Sequence, residues 1–417
     1  MTLQEQLEQT GRKARAASNG LRSLSRAVKD AALRNIAARL REKRDFIKSE
    51  NAKDLAAGRE KGLSAAMLDR LELNDKRIDA MAEGLEVVAG LPDPVGDVVH
   101  QYVHPNGLRI AQIRQPLGVV GIIYESRPNV TADAAALCLK SGNATILRGG
   151  SEAIHSNVAI ARIFQEGATA SGVPENAVQI IDTTDRTAVG EMLKLDKHID
   201  VIVPRGGKSL IARIYEDSRI PVVAHLDGVC CTYLHDDADP EMAKNIVLNA
   251  KLQRPGVCNA MENLLVHEAA APMLLPDIAE ALRAGGCELR GCERTRQIID
   301  CAAATEEDWS TEYLDKILSI KIVASLEEAI GFVNEYGSHH SDAIITENYA
   351  AAETFLDAVD SATVYVNAST RFTDGFEFGL GAEIGISTSK LHCRGPMALE
   401  GLTSLKYIIR GAGQVRG

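Results

Sequence analysis

The spacing of apolar positions changes character along the chain. Over residues 1–90, positions such as Leu21, Leu24, Val28, Ala31 and Ile36 recur at steps of three and four, with Arg and Lys between them. That period predicts amphipathic helices whose charge-rich stretches are solvated faces. Leu91-Pro92-Asp93-Pro94-Val95-Gly96 closes the block as a linker, since Pro and Gly interrupt regular structure. A hairpin is expected next. Tyr102-Val103-His104 and the run 108–113 flank Pro105-Asn106-Gly107, and Asn-Gly is a strong turn signal. A lone hairpin is marginal, so this one should pack on another subunit or on a distant part of the chain.

From Gly118 the pattern alternates between strand and helix. Strands are expected at 119–124, 145–147, 178–181, 201–203 and 222–224. Helices are expected at 130–140, 152–169, 187–195 and 208–215. Such alternation implies a parallel sheet covered on both faces, with ligands at the carboxyl ends of its strands. A second alternating block runs from Thr232 to about Val366, with helices at 240–251, 273–283, 326–335 and 350–359 and strands at 263–266, 320–323, 343–346 and 363–366. A glycine-rich tail, 378–385, and a short strand, 405–409, end the chain. No repeat or low-complexity segment is evident.

Composition narrows the class. At 417 residues the chain is too long for one ordinary core, so two or three domains are expected. A hydrophobic content of 45% and a charged content of 25% are those of a folded soluble protein. A net charge of −11 argues against non-specific binding to nucleic acid or an anionic membrane. None of the 8 cysteines forms a CxxC pair or has zinc-ligand spacing with His. The polar N-terminus lacks the apolar core of a signal peptide, and no apolar run reaches the roughly 18 residues of a membrane span. Unpaired thiols without a secretory signal suggest a reducing cytoplasm.

Candidate chemistry gathers at Lys251-Leu252-Gln253-Arg254-Pro255-Gly256-Val257-Cys258-Asn259-Ala260. Pro255 and Gly256 stop the expected helix, and a strand follows. Cys258 therefore falls in a turn where a thiol is exposed and rigidly held, between the small residues Gly256 and Ala260. A thiolate is a strong nucleophile that forms acyl intermediates; the alternative is a packed, inert cysteine. Arg148-Gly149-Gly150-Ser151 and Pro204-Arg205-Gly206-Gly207-Lys208-Ser209 each end a strand and open a helix. Their N–H groups can face an anion. Neither is GxGxxG or Walker A, and a plain tight turn explains each about as well.

Taken together, these residues resemble the aldehyde dehydrogenase superfamily. The strings that carry the resemblance are Ile123-Tyr124-Glu125-Ser126-Arg127-Pro128-Asn129-Val130-Thr131, the segment from Gln253 to Ala260, Val333-Asn334-Glu335-Tyr336-Gly337-Ser338-His339-His340-Ser341-Asp342, and the stretch from Phe378 to Leu402. Within the superfamily the chain is most similar to the branch that reduces an acyl phosphate, L-glutamate 5-phosphate, in the second step of proline biosynthesis. The resemblance implies an α/β architecture: a Rossmann-like NADP-binding domain (1–98, 116–227 and 367–396), an α/β catalytic domain (228–366), and a small β oligomerisation element (99–115 with 397–417). It places the active site in the cleft between the large domains. It also implies a homo-oligomer, with the upstream glutamate 5-kinase as a candidate partner.

By the same resemblance Cys258 is the nucleophile that forms a thioester, which NADPH then reduces. Asn129, the only amide in its segment, is the candidate oxyanion donor, with a turn-forming role as the alternative. Hydrolytic members carry a Glu that activates water; this chain has His225-Leu226-Asp227-Gly228 there. NAD-preferring members have Lys-Pro-x-Glu after a strand; here Arg148 takes the Lys place and Ser151 falls at or near the Glu place, which favours a 2′-phosphate. Gly149, Gly150, Gly206, Gly207 and Ser209 complete the expected cofactor contacts. Glu125, Arg127, Lys251 and Arg371 are candidates for the amino-acid end of the substrate, or ordinary surface ion pairs. His339 and His340 bind a ligand or shape the turn after Gly337. No metal is expected. The rival readings are a CoA-acylating or hydrolytic relative, and a cysteine hydrolase pairing Cys258 with His225.

Overall fold

The computed structural model describes residues 1–416, and these divide into two compact units. The first comprises Met1–Ala224, Gly379–Gly385 and the stretch from Met397 onward; the second comprises His225–Phe378 and Ile386–Pro396.

The first unit opens with five helices, Leu3–Leu21, Arg26–Glu42, Arg44–Glu60, Ala65–Leu71 and Asp75–Gly90. Their starts are legible as caps. Thr2 and Glu5 form a capping box, and Ser25, Ser64 and Asn74 each accept a backbone N–H of the first turn. A four-stranded parallel sheet follows in the order Val178–Ile180, Ala144–Arg148, Val119–Tyr124, Val201–Arg205, extended by a parallel bridge from Ile202 to Val222. Val119–Tyr124 is buried along its whole length, as expected of a central strand with helices on both faces.

The hairpin pairs Val98–Val103 with Arg109–Pro116 around Gly107, whose φ is +88°. The C-terminal strand Thr403–Arg410 lies antiparallel along the other edge of Arg109–Pro116. The hairpin thus finds its partner in its own chain, some 290 residues on.

Charge in this unit departs from the expectation of solvated faces. Lys29 is buried against Asp93, and Lys140 is buried against Asp30 and the Ala89 carbonyl. Each ammonium loses its water on folding and needs that partner.

The second unit is built on a seven-stranded parallel sheet. Its order is Ala302–Ala303, Glu288–Gly291, Ile317–Val323, Met261–His267, Cys230–Leu234, Ser341–Ile345, Thr363–Val366. Strand alternation feeds two cores. Leu264, Val266 and Ile320 pack with the helices Pro240–Leu252 and Ala271–Ala284, while Leu265, Tyr233 and Val323 pack with Trp309, Phe332 and Phe355. The short outer strands at 288–291 and 302–303 have no clear period and are absent from the pattern reading.

The division of the chain differs from the expected one. Residues 367–378 and 386–396 belong to the second unit rather than to the cofactor domain. The physical reason is local: Thr370 and Thr373 hydrogen-bond the Cys258 turn through Asn259, and Lys390 and Arg394 pair with Asp360. The hairpin and C-terminal strand cluster with the first unit rather than standing apart, and the boundary falls at 224/225 rather than at 227/228. No helix of the described residues is long and apolar enough to cross a membrane.

Removing Lys140 would leave the Ala89 carbonyl without its donor and Asp30 with only the half-exposed Arg26, at 3.3 Å, as a charged partner. Lys140→Ala should therefore cost about 3 kcal/mol of stability, the low end for a broken buried pair. Urea denaturation checks this; a change below about 1 kcal/mol would mean that the pair is effectively solvated.

Candidate active site

The turn that carries Cys258 is held from every side within the second unit. The helix before it, Pro240–Leu252, starts on an Asp239 cap with Pro240 in its first turn, and the chain turns at Pro255-Gly256 into Met261–His267. Cys258 is half-buried there. Gly228 lies flat against it: a Cβ at 228 would sit 1.9 Å from the Cys258 carbonyl oxygen and 2.6 Å from its Cα. Backbone cannot yield to such a contact, so only glycine fits. The Cys230 thiol donates to the same carbonyl at 3.2 Å. Thr370 Oγ1 donates to the Asn259 carbonyl at 2.8 Å, and Asn259 Nδ2 donates to the Thr373 carbonyl at 2.9 Å. Arg371 spans the turn, with Nε on Gln253 Oε1 at 3.0 Å and another guanidinium nitrogen on Asn259 Oδ1. Its charge is close enough to interact with Cys258.

Two imidazoles face the thiol. A ring nitrogen of His225, a ring nitrogen of His340 and Cys258 Sγ all lie within 4.8 Å of one another. The rings meet edge to face, with centroids 4.9 Å apart. His225 Nδ1 donates to the Ile386 carbonyl at 2.9 Å; a carbonyl only accepts, so the lone pair of the neutral ring is on Nε2. His340 is fully buried, and burial, followed by the nearby His225, pushes it well below the ordinary imidazole value. Its Nδ1 joins a chain through Ser341 Oγ (2.8 Å) and Thr373 Oγ1 (2.6 Å) to the Tyr365 hydroxyl (2.8 Å). Its Nε2 is buried without a protein partner, which costs about 1–3 kcal/mol unless something binds there. His339, by contrast, adopts φ +59° and bonds the Asp360 carbonyl at 2.7 Å, as a turn former would. The sequence pattern marks His225 as a replacement for Glu, but nothing in it signals that His340 reaches the thiol.

Burial raises most of the other thiols above the ordinary range: Cys138 to about 12, Cys287 and Cys393 to about 11, and Cys230 and Cys231 well above it. Cys292 is the exception. Burial acts to raise it, but hydrogen bonds from Thr295 and the Ile322 N–H bring it below the usual value.

Lys251, a substrate candidate, is corrected by its burial. It is fully enclosed and its ammonium lies 2.5 Å from Glu262, itself fully buried. Burial pushes the Glu262 carboxyl up, against the pull of Lys251. A cation so committed is part of the support beneath the turn rather than a surface for substrate.

The remaining predicted residues lie in the first unit. Glu125 is exposed, but its carboxylate accepts the Gly207 N–H at 2.9 Å and fills the space above Gly206. The turn at Gly206, Gly207 and Ser209 thus already holds a negative charge at the start of Lys208–Asp217, so it is not the open anion site expected of it. Arg127 is exposed. Asn129 opens the helix Asn129–Lys140, exposed, with one amide N–H on Asp133 at 2.8 Å. Gly149 has Asn157 and Tyr124 where a side chain would go, which by itself accounts for glycine there. Arg148, at the end of its strand, is 95% buried, with donors on the Gly149 and Asp185 carbonyls and an Nε lacking a partner. Ser151 opens a short 3₁₀ turn. The acid next to it, Glu152, turns its carboxylate onto the N–H and hydroxyl of Ser126, each at 2.7 Å, and Ser126 takes φ +40° to meet it.

Residues 2–288 match the aldehyde dehydrogenase family. The chain is 56% identical to a gamma-glutamyl phosphate reductase of Moorella thermoacetica, over the full length of both. Its structure is similar to the crystal structure of the gamma-glutamyl phosphate reductase of Thermotoga maritima, with a TM-score of 0.97 and 47% identity, covering 99% of this chain and 100% of that one. An acetylating aldehyde dehydrogenase of Geobacillus thermoglucosidasius shares the fold, with a TM-score of 0.70 at 18% identity over 100% of this chain and 98% of that one.

Gly228→Ala should push the Cys258 turn aside while leaving the sheet intact. Displacing a reacting group by about 1 Å costs on the order of 100-fold in turnover. Steady-state rates beside a circular-dichroism spectrum check this; wild-type turnover in the variant would mean that the turn tolerates movement.

Proposed function

The chain belongs to the aldehyde dehydrogenase family, as an oxidoreductase of its gamma-glutamyl phosphate reductase branch, and we propose that it reduces L-glutamate 5-phosphate with NADPH to L-glutamate 5-semialdehyde and phosphate through a thioester on Cys258. The observation that carries this reading is the rigid Cys258 turn with a neutral imidazole beside the thiol. The thiol proton passes to Nε2 of His225, whose other nitrogen is fixed on Ile386. The thiolate attacks the acyl carbon, a C–S bond forms, and the C–O bond to phosphate breaks. NADPH, when bound, supplies the hydride that reduces the thioester. The resulting oxyanion collapses, the C–S bond breaks, and the aldehyde leaves with the Cys258 thiolate restored. Donors for the oxyanion are the N–H groups of the Cys258 turn. The positive charge of Arg371 beside Cys258 draws in the anionic substrate.

The cofactor preference rests on Arg148 and Glu152. A buried guanidinium whose Nε lacks a partner fits a nearby phosphate, and Glu152 is turned away onto Ser126, which removes the acid that a ribose hydroxyl would seek. We further propose a homo-oligomer built on the small sheet, where Val98, Val103, Leu405, Tyr407 and Ile409 are all about half exposed or more and both edges are open. The 8 cysteines, none in a disulfide, suit a reducing cytoplasm.

In the reverse direction, the loss of the Glu base governs the fate of the acyl-enzyme. Once His225 holds the thiol proton it cannot also deprotonate water, and base assistance is typically worth about 10²–10⁴-fold. Phosphate is already an anion and needs no base. NADPH formation from the semialdehyde should therefore rise from near zero as phosphate is added, with arsenate able to replace it, and Cys258→Ala should abolish it; a phosphate-free rate within a few-fold of the full rate would mark a hydrolytic dehydrogenase. Arg148→Ala should weaken NADPH binding by about 1.5–3 kcal/mol with little effect on NADH; equal kcat/KM for the two cofactors in the wild type would end the NADPH reading. Light scattering at micromolar concentration should show a dimer or larger, and Tyr407→Glu with Ile409→Glu should dissociate it; a wild-type monomer would refute the interface.

A further inference from the structure

The pair of imidazoles around Cys258 has a property that acyl transfer does not require. We propose that Cys258 Sγ, His225 and His340 form a binding site for a thiophilic divalent cation, Zn²⁺, and that its occupancy reversibly silences the enzyme. The three candidate ligand atoms lie within 4.8 Å of one another. Ligands on one tetrahedral zinc sit roughly 3.5 Å apart, so closing on an ion takes side-chain shifts of about an ångström. One thiolate and two imidazoles form the donor set that zinc prefers and that magnesium or calcium does not.

The surroundings match those of a metal site in a further respect. A metal-binding imidazole usually has its second nitrogen held by a carbonyl, a carboxylate or another polar group, which fixes the ring and its tautomer. His225 donates Nδ1–H to the Ile386 carbonyl at 2.9 Å, and His340 Nδ1 is held by Ser341 Oγ at 2.8 Å, itself bonded to Thr373. The Nε2 of His340 is fully buried and meets no protein donor or acceptor. Shaping a turn does not explain a buried, unpartnered nitrogen on a ring that neighbours a thiol and a second imidazole; a ligand for it does. Cys258 and His225 are half-buried, so solvent reaches the site, and a fourth position is left for water.

Binding replaces the thiol proton with the metal: an S–H bond breaks, an S–Zn bond forms, and one proton leaves to solvent. No electron is transferred. The sulfur lone pair then belongs to the metal and cannot attack the substrate. The inhibition rests on Cys258 being the nucleophile; the binding does not.

Cobalt(II) reads the site without turnover. Chelator-treated enzyme should bind one Co²⁺ with the near-ultraviolet charge-transfer band of a thiolate ligand and the intense visible bands of four-coordination, and Zn²⁺ should displace it. The same Zn²⁺ should inhibit turnover, and EDTA should restore it. His340→Asn and His225→Asn should each weaken Co²⁺ binding by more than about tenfold, and Cys258→Ala should lose the charge-transfer band. Because His340 is buried, the half-buried His225 provides a second variant, and thermal melts verify that both fold. Wild-type cobalt affinity in both histidine variants, or a charge-transfer band that survives Cys258→Ala, would overturn the site. A normal cobalt spectrum in an enzyme that fails to reduce L-glutamate 5-phosphate would count against the proposed function and leave the metal site standing.

Discussion

Two backbones touch where no side chain can be placed between them. Residue 228 leads into the central strand Cys230–Leu234, and residue 258 precedes its neighbour Met261–His267. Parallel pairing of these strands brings the segments before them together, and the Cβ that glycine lacks would stand 1.9 Å from the Cys258 carbonyl oxygen. Position and orientation of the thiol follow from that contact. Thr370, Arg371 and Asn259 then tie the turn to the 370–373 segment, which is why those residues join the second unit.

Around this contact, buried charge is handled in two ways. Lys29, Lys140 and Lys251 each lie against a carboxylate, so each is a local unit that folding completes. Arg148 is different. It is buried at a strand end with its donors on backbone carbonyls, and Glu152 and Asp185 act on its charge without a direct ion pair. The thiol is treated in a third way, with two imidazoles beside it, the buried His340 held neutral, and the Arg371 charge close by. Neutral rings can receive a proton or donate a lone pair, and both proposals for this site draw on that.

Much of the fold was legible. Helical and strand periods, cap residues and the Asn106-Gly107 turn act over a few positions and report directly in the amino-acid pattern. Cys258 stood out for the same reason, since a Pro-Gly stop between a helix and a strand is a local signal. The commitment of Lys251 and Glu125 was not legible, because nothing near either residue in sequence announces its partner. Glu262 is on the next strand and Gly207 is 82 residues from Glu125.

The sequence by itself determined the elements, their alternation into parallel sheets and the identity of the candidate thiol, because each depends on neighbours within a few residues. Only the tertiary structure decided which histidine shares the thiol's surroundings, which cations are spent inside the protein, and the register in which the C-terminal strand docks on the hairpin. These are contacts between segments as far apart as 225, 258 and 340, or 109 and 410, and strand register, not local preference, sets which side chains meet.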